Sequence, residues 1–223
     1  TPSGARPAWL ADKYPEVLRT NDQGQQRLFG RRHNHCYTSP LYREKVAIIN
    51  RELSRRYGSN DTVVAWHLSN EYGGECRCPL CVQAFQDFLR EKYHNDISQL
   101  NLAWWTTFWS KTYDRFDQIE PPGKYTEDGI HGLNLDWHRF VTRQSRDFIL
   151  HETAAIREFS NKPTTINMMF EHYDMDYHAM ADAIDFASWD SYPEWHNGDN
   201  AVIAAKTAFW HDFYRSLKDR AEL

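Results

Sequence analysis

The 223-residue sequence lacks both a strong charge of one sign and a long apolar run. Its formal net charge is −5 and the acidic and basic residues are interspersed, so it has no basic stripe for a nucleic-acid backbone. No apolar stretch approaches the length of a membrane-spanning helix, and no charged-then-apolar leader opens the chain. These absences predict a cytoplasmic globular protein that binds neither nucleic acid nor a membrane.

Internal repeats and low-complexity linkers are also missing, so we expect residues 1–223 to form one domain. The hydrophobic content of 41% is enough for a substantial core. Aromatic residues make up 15% of the chain. This abundance favours a carbohydrate cleft only weakly, because aromatic side chains also dominate ordinary cores.

Hydrophobic periodicity predicts helices that alternate with strands. The predicted helices cover 7–12, 40–57, 79–93, 97–105, 134–159, 177–183 and 200–217, and the predicted strands cover 63–68, 163–170 and 184–193. Ser39 is a candidate N-cap for the helix over 40–57. In the helix over 134–159, the residues predicted to face inward are Trp137, Phe140, Val141, Phe148, Ile149 and Ile156. Alternating strands and helices call for a parallel sheet, and three strands are too few for a complete (β/α)8 barrel, so we expect an α/β fold that is a partial TIM barrel.

Cysteine is scarce, and its spacing is unusual. The four cysteines are Cys36, Cys76, Cys78 and Cys81. Four thiolates match the ligand count of a closed tetrahedral zinc site, which is structural because it leaves no open position for water. Disulfides are the alternative, but a bond within Cys-x-Cys is strained. We therefore expect a structural Zn²⁺ that pins the loop after Glu71 to the loop that contains Arg32.

The predicted strand over 63–68 ends at Ser69-Asn70-Glu71, which places polar groups at its carboxyl end. Because catalytic side chains collect at this end of the strands in α/β barrels, Glu71 is a candidate general acid. A capping or salt-bridging role is the alternative for Glu71. Asn70 carries both a donor and an acceptor, as recognition of a sugar hydroxyl requires.

The third predicted strand ends in the polar and aromatic segment 188–193. Tyr192 at its tip is a candidate for a hydrogen bond to a substrate or to a catalytic carboxylate, whereas Trp189 is expected to pack. Glu194 is a weaker candidate for a second carboxylate. In the loop before Cys36, Arg31 and Arg32 are compatible with surface charges. His33 and His35 are compatible with alternative zinc ligands or with solvated loop residues, and they are assigned no role.

Several segments together resemble glycoside hydrolase family 42, the β-galactosidases of a retaining (β/α)8-barrel clan. These segments are Trp-His-Leu-Ser-Asn-Glu-Tyr-Gly at 66–73, the cysteine run at 76–81, Ala-Trp through Phe-Trp-Ser at 103–110, and Ser-Trp-Asp-Ser-Tyr-Pro at 188–193. The Asn-Glu pair alone is shared by the whole clan, but its combination with the cysteine run and the Phe-Trp-Ser segment is specific. The resemblance covers essentially the whole chain and implies hydrolysis of terminal non-reducing β-D-galactose from β-galactosides.

The resemblance also implies roles for individual residues. Glu71 would be the acid/base at the end of the fourth barrel strand, with Asn70 holding a sugar hydroxyl. Arg32 would match the family's substrate-binding arginine, and Tyr192 its tyrosine near the nucleophile and the sugar. Trp109 would match a tryptophan that reaches a neighbouring subunit's site in the family's trimers, which implies a homotrimer. The four cysteines match the family's zinc ligands.

The sequence departs from the family at one important point. A retaining glycosidase needs two carboxyl groups about 5–5.5 Å apart, and the family's nucleophile is a glutamate at the tip of the seventh strand. Only the acid/base has a counterpart here, so we expect roughly strands four to six, with the nucleophile beyond Leu223, and a chain that is inactive by itself. Two alternatives are a non-catalytic carbohydrate-binding module and a zinc-organised interaction module without a sugar site.

Overall fold

The computed structural model describes residues 4–169 and 174–218. The helices are α1 (Ala8–Lys13), α2 (Pro40–Tyr57), α3 (Pro79–Lys92), α4 (Ile97–Trp104), α5 (His131–Arg157), α6 (Tyr177–Ala181) and α7 (Asn200–Arg215), and the strands are β1 (Trp66–Asn70), β2 (Thr164–Met168) and β3 (Ser188–Trp189). Short 3-10 turns cover Pro15–Val17, Phe108–Ser110 and Phe116–Gln118. No helix in this described part is both long and apolar enough to cross a membrane.

The three strands form a parallel sheet in the order β1-β2-β3, as the alternation of strands and helices predicts. Between β1 and β2 the register pairs His67 with Thr165 and Asn70 with Asn167. β1 therefore advances by three residues where β2 advances by two. The extra residue in β1 is a β-bulge, a device that re-aims side chains at the end of a strand.

The chain divides into two compact units. The sheet unit comprises Thr1–Gly4, Glu44–Tyr72 and Ser145–Leu223, and the cysteine unit comprises Ala5–Arg43 and Gly73–Gln144. Fully buried apolar residues of the sheet unit include Val46, Leu68, Phe148, Ile149, Ile156, Ile166, Met168 and Met180. Those of the cysteine unit include Phe85, Leu89, Leu100, Ile119, Leu133 and Trp137.

The long helices follow the predicted patterns closely. The backbone N–H of Tyr42 donates to Ser39 Oγ at 3.3 Å, so the predicted N-cap of α2 is confirmed. All six residues predicted to face inward from α5 are buried. In the cysteine unit, the Phe85 and Trp137 rings meet edge to face at 5.0 Å between centroids. Amphipathic spacing was therefore sufficient to predict these packing faces.

The predicted strand boundaries were less accurate. β1 begins at Trp66 rather than at residue 63, because Val63 N–H donates to Asn60 O in a turn and Val64 is 80% exposed. β3 is confined to Ser188–Trp189, whereas the prediction covered 184–193. The first residue of that prediction, Ile184, donates its N–H to Ala181 O at the end of α6 and so belongs to a turn. For β2, the last predicted residue, 170, lies outside the described residues.

Candidate active site and candidate metal centre

Glu71 directly follows β1 and has a left-handed backbone, with φ of 48°. This conformation costs a non-glycine residue on the order of 1–3 kcal/mol, so the surroundings must hold it. The Glu71 N–H donates to Asn167 Oδ1 at 2.9 Å. The next residue, Tyr72, is only 1% exposed, and its hydroxyl donates to the carboxylate of Glu152 in α5. Asn50 Nδ2 donates to the same carboxylate at 3.2 Å. Glu71 is therefore held by its own N–H and by the buried residue that follows it.

Asn167 on the central strand joins the carboxyl ends of all three strands. Its Oδ1 accepts from Glu71 N–H and lies 3.0 Å from His67 Nε2. Its Nδ2 donates to Asn70 Oδ1 at 3.1 Å and to Asp190 Oδ1 at 2.9 Å. A side-chain amide has two N–H donors and two acceptor positions, and all four are used here.

The β-bulge explains why these groups can meet. Side chains in a regular strand alternate between the two faces, so His67 and Asn70 would otherwise point to opposite faces. The extra residue between them brings both to the face of Asn167, and both hydrogen-bond to it. Desolvation lowers the pKa of His67, so its imidazole is neutral at neutral pH. The tautomer that carries its proton on Nε2 fits the contact with the Asn167 Oδ1 acceptor.

The Asn70 amide uses only one of its two polar atoms. Its Oδ1 is taken by Asn167, whereas its buried Nδ2 has no hydrogen-bond partner among the described residues. Nearby, burial raises the pKa of Tyr177, and the charges of Asp190 and Glu71 add to the effect. The Tyr177 hydroxyl, which accepts from Met169 N–H at 2.9 Å, therefore stays protonated at neutral pH. A carboxyl residue and an amide residue therefore follow one another at the end of β1.

The segment after β3 borders an open cavity. Tyr192 is 78% exposed, and the cavity of about 420 Å³ beside it is also lined by Trp189, Lys206 and Trp210. Trp189 stacks on Tyr214, with 5.4 Å between ring centroids, so its predicted packing role is confirmed. Glu194 is exposed, and its carboxylate accepts from Asn197 Nδ2 at 2.7 Å.

The four cysteines lie together in the cysteine unit. Cys36, Cys76, Cys78 and Cys81 are buried and free, and their sulfur atoms all lie within 4.8 Å of one another. Cys36 Sγ is 3.3 Å from Cys81 Sγ and 3.6 Å from Cys78 Sγ. Sulfurs bound to one tetrahedral Zn²⁺ at about 2.3 Å lie about 3.7 Å apart, so the cluster is compatible with one metal ion. Hydrogen bonding with Cys36 lowers the pKa of Cys78 and lowers that of Cys76 to about 7, whereas hydrogen bonds with the other three cysteines raise the pKa of Cys36 itself.

Neighbouring groups orient these sulfurs. The backbone N–H of Thr20 donates to Cys76 Sγ at 3.4 Å. On α5, Gln144 Nε2 donates to Cys81 Sγ at 3.4 Å and also to Thr38 Oγ1. Such surrounding hydrogen bonds fix the ligands of a metal site and tune its affinity.

Arg19 hydrogen-bonds to both the loop before Cys36 and the turn after Tyr72. Its Nη1 donates to Gly73 O at 2.8 Å and its Nε donates to His35 O at 2.9 Å. Gly74 has a φ of 74°, and a Cβ added there would lie 2.4 Å from Arg19 Nη1, so glycine is required on both grounds. The turn after Tyr72 and the loop before Cys36 are thus fixed to one guanidinium.

Arg32 and Trp109 belong to the cysteine unit, whereas Asn70, Glu71 and Tyr192 belong to the sheet unit. Arg32 is exposed, and the residues on either side of it, Arg31 and His33, have φ of 59° and 52°. Trp109 is 77% exposed and meets the Phe108 ring edge to face at 5.4 Å. Within each unit the structure brings together Asn70 with Glu71, and the four cysteines.

Sequence reasoning missed four residues that organise these sites. They are Arg19, His67, Asn167 and Asp190. One pattern in the sequence could have identified Asn167, because a side-chain amide within an otherwise apolar and β-branched strand must find buried partners. No comparable pattern marks Arg19, whose partners are backbone carbonyls.

Comparisons with known proteins give consistent matches. The family model for the glycoside hydrolase family 42 β-galactosidases matches residues 1–222. β-Galactosidase BglY of Alicyclobacillus acidocaldarius is 53% identical over 219 residues, which cover 97% of this chain and 32% of BglY. β-Galactosidase GalA of Bacillus licheniformis is 51% identical, over 99% of this chain and 34% of GalA.

A solved structure gives the same result for the fold. A catalytic mutant of Gan42B, a family 42 β-galactosidase from G. stearothermophilus, superposes with a TM-score of 0.93 at 52% identity, over 98% of this chain and 33% of Gan42B. The predicted fold class, a partial TIM barrel, is confirmed. This chain spans about a third of the length of the relatives that it matches. The chain belongs to glycoside hydrolase family 42.

Proposed function

We propose that this chain supplies the acid/base part of a retaining β-galactosidase that removes terminal non-reducing β-D-galactose. The observation that carries the proposal is the placement of Glu71 at the bulged carboxyl end of β1, beside the unpartnered amide N–H₂ of Asn70. The carboxyl group can move a proton, and the amide can donate to a sugar hydroxyl. Membership of a family of β-galactosidases supplies the substrate class.

In the proposed reaction, Glu71 donates its proton to the glycosidic oxygen as the bond from that oxygen to the anomeric carbon breaks. A second carboxylate, which we place in the part of the whole protein beyond Leu223, attacks the anomeric carbon and forms a galactosyl-enzyme. The Glu71 carboxylate then takes a proton from water, and the resulting hydroxide displaces the second carboxylate. Two displacements retain the β-configuration, and this chain without the second carboxylate is inactive.

Ligand or subunit contacts are proposed for three further exposed residues. Arg32 and Tyr192 bind the sugar, and the exposure of both is compatible with contact to a ligand. Trp109 contacts the site of a neighbouring subunit in a homotrimer. The exposed cluster of Trp105, Phe108 and Trp109 supports this assembly, because a large exposed apolar patch marks an interface. Residues 1–223 form one partial catalytic domain in this proposed enzyme.

We also propose that the four cysteines hold a structural Zn²⁺. Their number, burial and close approach support this assignment, and four thiolates leave no position for a catalytic water. Bound metal would fix the loop that contains Arg32 to the segment over 73–81. Four reduced thiols fit a reducing compartment, which supports a cytoplasmic location.

The test is Glu71→Gln in the whole protein, with two β-galactosides that differ in leaving group. For an alkyl β-galactoside, whose departure needs a proton, we expect kcat/KM to fall about 10³-fold. For a dinitrophenyl β-galactoside, which leaves without a proton, the loss should stay below about tenfold. Glu158→Gln, at an exposed carboxylate paired with Arg51, is the control and should match the wild type on both substrates. Unchanged turnover of the alkyl galactoside in Glu71→Gln would remove the assignment.

A further inference from the structure

We propose that Asn167 is a positioning residue that holds the acid/base in its left-handed conformation and fixes the amide of Asn70. This inference rests on the proposed function of Glu71. Asn167 lies on β2, whereas Glu71 and Asn70 lie at the end of β1, and each is joined to the Asn167 side chain by one hydrogen bond. One side chain therefore sets both the backbone that aims the carboxyl group and the amide beside it.

Only an amide oriented in one way satisfies the contacts of Asn167. Its oxygen faces two N–H groups, those of Glu71 and His67, and its nitrogen faces the carboxylate of Asp190. A flipped amide would place N–H against N–H and oxygen against carboxylate. Aspartate at this position would place a second carboxylate against Asp190 and would lose both donors. The network therefore requires asparagine.

The two anchors of Glu71 make different contributions. Tyr72 is buried and fixed through Glu152, so the chain after Glu71 has a defined path into the core. The N–H of Glu71 itself donates to Asn167 Oδ1. In Asn167→Asp, repulsion between the new carboxylate and Asp190 would displace the acceptor from Glu71 N–H, and the peptide could then rotate to an unstrained conformation. The carboxyl group would then move relative to a glycosidic oxygen.

The test is Asn167→Asp in the whole protein, with kcat/KM measured for an alkyl and a dinitrophenyl β-galactoside. A displaced acid should matter only when the leaving group needs a proton. We therefore expect the loss for the alkyl galactoside to exceed the loss for the dinitrophenyl galactoside by at least about tenfold. In a Glu71→Gln background, the same substitution should reduce kcat/KM equally for both substrates, because the acid is already absent.

Thr165→Val is the matched control, because Thr165 is also buried on β2 and donates to Phe186 O at 2.7 Å without touching Asn70 or Glu71. It should lower thermal stability without changing the ratio between the two substrates. Equal losses on both substrates in Asn167→Asp would overturn the inference while leaving the role of Glu71 intact. If Glu71→Gln itself left the ratio unchanged, the proposed function would fail instead.

Discussion

The two candidate centres are built in opposite ways. The cysteine centre uses four identical side chains, three of them within the six-residue segment over 76–81. The strand-end site uses unlike side chains from three strands, joined through Asn167. The short spacing of the cysteines is enough to indicate a metal-binding centre. The strand-end site depends on which residues the sheet register places opposite one another. Local spacing is visible in a sequence, whereas contacts between strands arise only on folding.

The cysteine cluster could be predicted because short spacing limits where three sulfurs can go. Asn167 could not be placed in the same way, because its partner Asn70 is 97 residues away and the pairing depends on a β-bulge. The prediction treated Asn70 and Glu71 as a pair at a strand end. Asn167, whose side chain hydrogen-bonds to both residues, was not predicted.

The same contrast applies to the fold. The bounds of α2 were predicted correctly because helical periodicity is a local property of about four residues. The extent of β3 was not, because only Ser188 and Trp189 keep a strand register with β2. The composition of 184–187 alone cannot distinguish a strand from the turn after α6.

The largest expected effect comes from breaking the cysteine centre. Cys81→Ser in the whole protein should abolish binding of one Zn²⁺ per chain and lower the free energy of unfolding by more than about 3 kcal/mol, because metal binding is coupled to folding. Elemental analysis and chemical denaturation measure the two effects. A strong chelator added to the wild type should reproduce the loss of stability. Full metal content in Cys81→Ser would contradict a four-cysteine site.

A second large effect is expected from the buried carboxylate of Asp136. Asp136 in the cysteine unit accepts from Lys92 Nζ, Tyr93 Oη and Trp104 Nε1. Burial opposes its ionisation, but the hydrogen bonds from Lys92 and Tyr93 outweigh burial and lower the pKa of Asp136. Asp136→Asn should therefore cost about 3 kcal/mol at pH 7.

The sign of the pH dependence follows from that lowered pKa. The folded protein binds this proton less readily than the unfolded chain, so the contribution of Asp136 is complete above about pH 4 and is lost as the pH falls through its folded pKa. Denaturation curves of wild type and Asp136→Asn should converge on acidification. A difference that grows below pH 4 would contradict this reading.

A third, smaller effect is expected in the sheet unit from Tyr72→Phe. The substitution leaves the Glu152 carboxylate without its tyrosine donor, and we expect a loss of about 2 kcal/mol in the free energy of unfolding. Tyr125→Phe is the control, because Tyr125 is exposed and its replacement should change stability by less than about 0.5 kcal/mol. Equal stabilities of the two variants would show that this hydrogen bond does not anchor the residue after Glu71.

The smallest expected effect is a change in metal affinity when a hydrogen bond to one of the cysteine sulfurs is removed. Gln144→Leu removes the donor to Cys81 Sγ and should weaken metal binding about tenfold while leaving the metal content of freshly purified protein unchanged. Competition with a chromogenic chelator measures the affinity. Gln83→Leu, on exposed α3 surface, is the matched control. Identical affinities in both variants would remove Gln144 from the metal centre.

The role of Glu71 is tested most directly by Glu71→Gly in the whole protein with dinitrophenyl β-galactoside and added azide. The small anion fits the space of the missing carboxylate and can attack the galactosyl-enzyme without base assistance. We predict that azide accelerates turnover and that the product is β-galactosyl azide. Formation of the α-azide would identify Glu71 as the nucleophile, and the absence of any acceleration would contradict its role as the acid/base.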